Sequence, residues 1–310
     1  MNTFLFGDQT LTSSFDFKEL PRLTGAVTFS AIQFDLLPPH PATAYGWLHE
    51  WKESDDNISM SLALHESGFL LRFPELCDFI FDTGQRSIKA IPHAALDEYT
   101  IEHLLVDQVL PRFLANEGRM LLHACAANID GKTVLFSGKS GWGKSTLAAL
   151  LHESGYTLYS DDCVLLMRDG AAWHALATYP SLRLHADSIE QIFTGDSSLS
   201  PVSEYSDKKR IALTIEQHKK IPPLHALYFL SDPETAADTI QITPMRPANT
   251  CIELIQRSFR LDLNNHRQSR ELMTSAAALT QSIPAYRLSY RHDYQNNHQL
   301  LALLVKHIQQ

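Results

Sequence analysis

Apolar positions fall into two regimes along the chain. Up to about residue 95, β-branched, aromatic and aliphatic residues come in short runs separated by turn residues. AVTFSAIQFDL (26–36) and SGFLLRFPELCDFIFD (67–82) are the clearest of these runs. Such patterns read as strands, so residues 1–95 are predicted to form a β-rich N-terminal module. From Ala95 the period becomes helical. In LDEYTIEHLLVDQVLPRFLANEG (96–118), Ile101, Leu104, Leu105, Val109 and Phe113 share one face of a helix. Pro111 is predicted to kink or split that helix, and Gly118 to stop it.

The next stretch, RMLLHACAANIDGKTVLFSG (119–138), holds two apolar runs around Asp130-Gly131, a dipeptide that favours a tight hairpin turn. The second run leads straight into a glycine-rich turn. Leu147, Leu150 and Leu151 then mark the buried stripe of a helix, and Gly155 stands where a helix C-cap needs positive φ. YTLYSDDCVLLM (156–167) reads as one buried strand. Strand, glycine loop, helix and strand make a phosphate-binding βαβ unit, and the fold class is α/β with a P-loop-containing domain over 96–310. Farther on, FTGDSSLSPVSEYSDKKR (193–210) reads as a polar, mobile surface segment near the site. IPPLHALYFLSD (221–232) reads as a core strand, and NTCIELIQRSFRLDL (249–263) and NNHQLLALLVKHIQQ (296–310) as helices.

Composition narrows the function classes. The 310 residues are 44% hydrophobic and 20% charged, with a net charge of -9, which suits a globular protein with a real core. No basic surplus exists to neutralise a nucleic-acid backbone, so no nucleic-acid partner is expected. No apolar run reaches the ~18 residues needed to span a membrane, and the N-terminus lacks the basic and apolar regions of a signal peptide. Cys77, Cys125, Cys163 and Cys251 are scattered without a CxxC pair, which suggests reduced thiols and a cytoplasmic location.

The candidate chemistry begins at Gly138-Lys139-Ser140-Gly141-Trp142-Gly143-Lys144-Ser145, a full match to G-x-x-x-x-G-K-[ST]. Glycines let consecutive N–H groups turn inward on an anion, and the helix N-terminus adds to that field. Lys144 would place a point charge on the β and γ phosphates, and the Ser145 hydroxyl would ligate Mg²⁺. Trp142 is either a surface aromatic at a permissive position or a residue packed near the nucleotide or acceptor. Asp161-Asp162 interrupts an apolar strand. One carboxylate would orient Mg²⁺ and the other accept a proton from an attacking hydroxyl. His123, within LLHACA, is either a satisfied core residue or a member of the phosphate site. Arg183 and the trio Lys208-Lys209-Arg210 would offer positive charge to a phosphoryl group, or are simply solvated.

GKSGWGKST followed by GYTLYSDD resembles the catalytic domain of HPr kinase/phosphorylase, a bacterial serine kinase. The matching positions are His123, Ser140 to Ser145, Gly155-Tyr156 and Asp161-Asp162, and the likeness is close over Leu121 to Leu166. The C-terminal half is more loosely similar to HPr-kinase-like proteins, among them the kinases of lasso-peptide clusters. The resemblance implies a phosphoenolpyruvate-carboxykinase-like fold, with ATP and Mg²⁺ as cofactors. It implies that Lys144 holds the phosphates, Ser145 binds the metal and Thr146 follows in the nucleotide loop. Asp161 would be the base, Asp162 would support the metal, and His123 would lie at the phosphate site. Arg210 is taken as the equivalent of the family's later arginine. Thr146 replaces the acidic residue found where kinase and phosphorylase activities coexist, which argues against the reverse reaction. The N-terminal module does not resemble that of the HPr enzyme.

Three functions follow from these residues. The leading one is an ATP- and Mg²⁺-dependent kinase acting on a hydroxyl, with serine of a peptide or small protein as acceptor. The second is a kinase of free serine, a sugar or another metabolite. The third is a nucleotide-binding switch or scaffold with little catalysis. Acceptor identity and any homo-oligomer stay open at this level.

Overall fold

The computed structural model describes residues 1–24, 31–54, 57–193, 199–213, 222–293 and 296–310. The first half of the strand expected at 26–36, residues 194–198 of the polar segment and Ile221 therefore lie outside the described residues.

Alternation in the N-terminal segment produces eight strands, from Asn2–Phe6 to Ser87–Pro92, in a single sheet. Most neighbours are antiparallel hairpins, such as Gly68–Phe73 with Cys77–Asp82. One face of this sheet buries Phe4, Phe6, Phe34, Phe79 and Phe81. That core does not close on itself. It continues into Leu104, Leu105, Val109 and Phe113 of the following helix, and on to Leu121, Cys163, Leu165 and Tyr179. Among the described residues, position 95 divides an all-strand segment from one of mixed helices and strands, but the hydrophobic core runs across it.

The helix over 98–116 has three parts: α over Glu98–Leu104, a wide π turn over Leu105–Val109, and α over Leu110–Asn116. Pro111 cannot donate to the ladder, and the wider turn directly precedes it, closed by Leu110 N–H to Leu105 O. Gly118 stops the helix at φ 86°.

The rest of the chain is built on a six-stranded sheet. In spatial order its strands are Thr157–Ser160, Ala124–Ile129, Lys132–Ser137, Leu224–Leu230, Ala285–Ser289 and Gln241–Pro244. Asp130 (φ 50°) and Gly131 (φ 85°) form the two-residue hairpin between the second and third. The loop strand Lys132–Ser137 runs parallel to Leu224–Leu230. On its other side the hairpin strand Ala124–Ile129 separates it from Thr157–Ser160. The βαβ unit therefore has a strand inserted between its two parallel members.

Two expected strands are each divided. RMLLHACAANI breaks at His123 into Met120–Leu122 and Ala124–Ile129. YTLYSDDCVLLM breaks at Asp161 to Cys163 into Thr157–Ser160 and Val164–Asp169. The halves pair twice, Ala126 with Ser160 in the large sheet and Leu122 with Val164 in a three-stranded sheet. Two paired strands thus turn one corner together, and the corner residues leave the ladder. The polar segment also gains structure. Leu199–Ser203 and Ser206–Ala212 form a hairpin, and the second strand pairs with Ser181–Leu184. The helix over His266–Ser282 was not evident in the sequence; its Asn265 cap accepts from Gln268 N–H.

Candidate active site

The loop between Ser137 and Lys144 opens a helix whose first residue is Lys144. Gly141 and Gly143 hold φ of 78° and 84°, the left-handed region that points successive N–H groups one way. A Cβ at Gly143 would stand 2.5 Å from His292 Nε2 and 3.1 Å from Tyr290 Oη, so the C-terminal segment presses directly on the loop. At Gly141 no atom lies within 4 Å of that position. The helix is anchored by Leu147, Ala148 and Leu151, all fully buried. Lys144 Nζ folds back to Gly138 O (3.1 Å) and Lys139 O (3.3 Å).

A cleft of about 730 Å³ opens over this loop. Gly138 to Gly141, Gly143 to Thr146, His123, Asp162 and Arg183 all reach it. Trp142 does not; it packs on the core of the six-stranded sheet. Its ring meets Lys139 Nζ at 5.3 Å and the Arg257 guanidinium at 5.5 Å.

The two aspartates are placed differently. Asp162 lines the cleft, whereas Asp161 is fully buried behind it. Asp161 Oδ2 accepts the Arg183 N–H at 3.0 Å, and the Ser145 hydroxyl approaches closely enough to favour the charged form. Oδ1 is buried without a hydrogen-bond partner of good geometry. Burial, followed by the neighbouring Asp162 charge, raises the Asp161 pKa to about 7. Of the two, Asp162 is the carboxylate at the cleft wall, while Asp161, expected as the base, is turned toward Ser145.

His123 occupies the strand corner. Its N–H donates to Arg257 O at 2.8 Å, and its ring lies 3.7 Å from the Phe259 ring centroid. Burial, then the nearby Arg112 charge, lowers its pKa to about 4, so the imidazole is neutral at neutral pH.

Arg183 is fully buried and committed. It pairs with Glu19 (2.9 Å) and Asp107 (2.8 Å), and its guanidinium stands 4.6 Å from the Tyr179 ring. Arg210, the expected late arginine, turns to Glu19 Oε1 at 3.1 Å and donates to Ser200 at 3.1 Å. It is not among the residues reaching the cleft, whereas Lys208 is. Two arginines are matched here by two carboxylates, one from the N-terminal module and one from the π turn.

Sequence reading missed Glu19, Asp107, Arg257 and His292. Asp107 carried a signal, an acid inside an apolar helical run. Glu19 and His292 carried none, because only tertiary packing brings them in.

A divalent cation is implied by the loop. The residues fit one: a serine hydroxyl beside a carboxylate whose second oxygen is buried and orphaned. Among the described residues no helix is long and apolar enough to cross a membrane.

Residues 95–297, about two thirds of the chain, match the family described as SynChlorMet cassette protein ScmC. A putative HPr kinase/phosphorylase 2 of Oceanobacillus iheyensis is 39% identical over 150 residues, 44% of this chain and 46% of that protein. The HPr kinase/phosphorylase of Geobacillus sp. strain WCH70 is 26% identical over 183 residues, 56% of each chain. The chain thus spans about half the length of the curated relatives it matches. A solved HPr(Ser) kinase/phosphatase from Coxiella burnetii aligns with 60% of this chain and 95% of its own, at 13% identity and a TM-score of 0.30. The chain belongs to the ScmC family, and with it to the HPr-kinase-like proteins.

Proposed function

We propose that the protein is an ATP- and Mg²⁺-dependent kinase that phosphorylates a hydroxyl, with serine of a peptide or small protein as acceptor. The observation that carries this reading is a single cleft shared by the loop at 138–146 and the carboxylate of Asp162. Loop amides and Lys144 hold the phosphates of ATP. Bound magnesium would be held by Ser145 with Asp161 behind it, and would supply charge neutralisation to the phosphates. Asp162 takes the proton from the acceptor hydroxyl as its oxygen bonds to the γ phosphorus. The bond to the bridging oxygen breaks, and ADP leaves with that electron pair. His123, neutral and at the cleft wall, borders the same space.

Support for a macromolecular acceptor comes from the rim. The hairpin of 199–212 borders the cleft and carries Tyr205, 51% exposed, an amphipathic anchor of the kind interfaces use. The inserted hairpin strand beside the loop strand supports the carboxykinase-like architecture expected from the resemblance. The relatives' printed names, HPr kinase/phosphorylase, support a kinase of this general kind. Incubation with labelled ATP and a cell extract tests the reading. Label on serine of a peptide or protein is expected. Label only in the small-molecule fraction would instead make the enzyme a metabolite kinase, and no transfer at all would leave a nucleotide-binding scaffold.

A further inference from the structure

Phosphoryl transfer needs a cation for the charge that develops on the moving group, and Lys144 already serves the loop side. Arg183 and Arg210 are poor candidates for the far side, because Glu19 and Asp107 neutralise them. The cleft has one more guanidinium, on Arg257 at the end of the helix Pro247–Arg257. Its charge is only partly matched. Arg257 pairs with Glu253 at 3.0 Å, but Arg287 pairs with that same carboxylate at 2.7 Å. Among the described ion pairs, two guanidiniums share one carboxylate, which leaves a surplus positive charge at the cleft wall. Nε of Arg257 is also buried without a hydrogen-bond partner. A buried N–H left unpaired costs free energy that an incoming anion oxygen would recover.

The position of Arg257 is fixed from three sides. Glu253 holds Nη2, the Trp142 face lies 5.5 Å from the guanidinium carbon, and the Arg257 carbonyl accepts the His123 N–H. The side chain is 11% exposed, so little of it is free to wander. Trp142 thereby gains a purpose at its loop position: it supports the arginine from the nucleotide side without entering the cleft.

We propose that Arg257 is a catalytic residue that binds the transferring phosphoryl group, the role expected of Arg210 from sequence. The inference rests on the kinase reading above. Its test compares calorimetric binding of Mg·ADP with binding of Mg·ADP plus fluoroaluminate, a mimic of the phosphoryl group in flight. Wild type is expected to bind the mimic more tightly than ADP. Arg257→Gln keeps ADP affinity and loses on the order of 10²-fold or more in affinity for the mimic. Arg257→Lys keeps the charge but not the planar fork, and falls between them; it also serves if the glutamine variant does not fold. Equal binding of the mimic by wild type and both variants overturns the role of Arg257 and leaves the kinase reading standing. Failure of wild type to bind ADP at all overturns the kinase reading, and this inference with it.

Discussion

Asp161→Asn separates a stability role from a chemical one. The wild-type carboxyl is buried, holds the Arg183 N–H and has its pKa raised from an ordinary 3.8 to about 7. Between those two values the native state binds more protons than the unfolded chain, so stability falls as pH rises from about 4 to about 7 and then levels. At about 1.4 kcal/mol per pH unit, ionising this group costs the native state about 4 kcal/mol above pH 7. Asparagine keeps an acceptor for Arg183 N–H and carries no charge. Its advantage over wild type should therefore grow by about 3 kcal/mol between pH 5 and pH 8. For a chain of this length that is about 4 °C in Tm. Calorimetry of both proteins without magnesium or nucleotide reads this difference, since titrating groups that do not touch Asp161 cancel. Adding Mg·ADP should stabilise wild type more than the variant, because the carboxylate then has its cation. A Tm difference that does not change with pH, or that shrinks toward pH 8, would refute the reasoning.

Gly143→Ala should lower Mg·ADP affinity by about 10-fold, because a left-handed alanine costs about 1–2 kcal/mol and its Cβ must push aside the exposed His292 ring 2.5 Å away. Gly141→Ala carries only the backbone cost, so equal losses in the two would contradict the clash. Glu19→Ala strips one of two carboxylates from Arg183 and Arg210 and should cost about 3–5 kcal/mol in urea unfolding. A loss under about 1 kcal/mol would show that the N-terminal module does not hold this network. With Thr146 after the loop serine, phosphorylated acceptor and inorganic phosphate should yield no pyrophosphate; a coupled pyrophosphate assay reads this, and steady release would contradict it.

Much of the chain around the glycine loop was legible because its signals are local. The Asp130-Gly131 turn, the Lys144 helix with its Leu147–Leu151 stripe and the Gly155 stop each depend on a few neighbouring residues. Strand continuity was not legible. An apolar run through His123 or Asp161 looks unbroken, and only the paired corner between two sheets shows why polar residues stand there. The roles of the two aspartates were ambiguous for a related reason. Alternation says they face opposite ways but not which way the cleft lies. Arg257 was hidden because an arginine four residues after a glutamate looks like an ordinary helix pair. Its surplus charge appears only when Arg287 reaches the same carboxylate from the strand Ala285–Ser289. The shared core of the N-terminal sheet and the helix over 98–116 was equally invisible, since sequence period reports an apolar face but not its partner.

The central claim is tested most directly by a crystal structure with Mn²⁺ and a non-hydrolysable ATP analogue. The triphosphate should lie along the amides of 138–145, with the anomalous manganese peak at the Ser145 hydroxyl and the Asp162 carboxylate facing the terminal phosphorus. A nucleotide bound elsewhere, or a terminal phosphorus with no carboxylate across from it, would contradict the account.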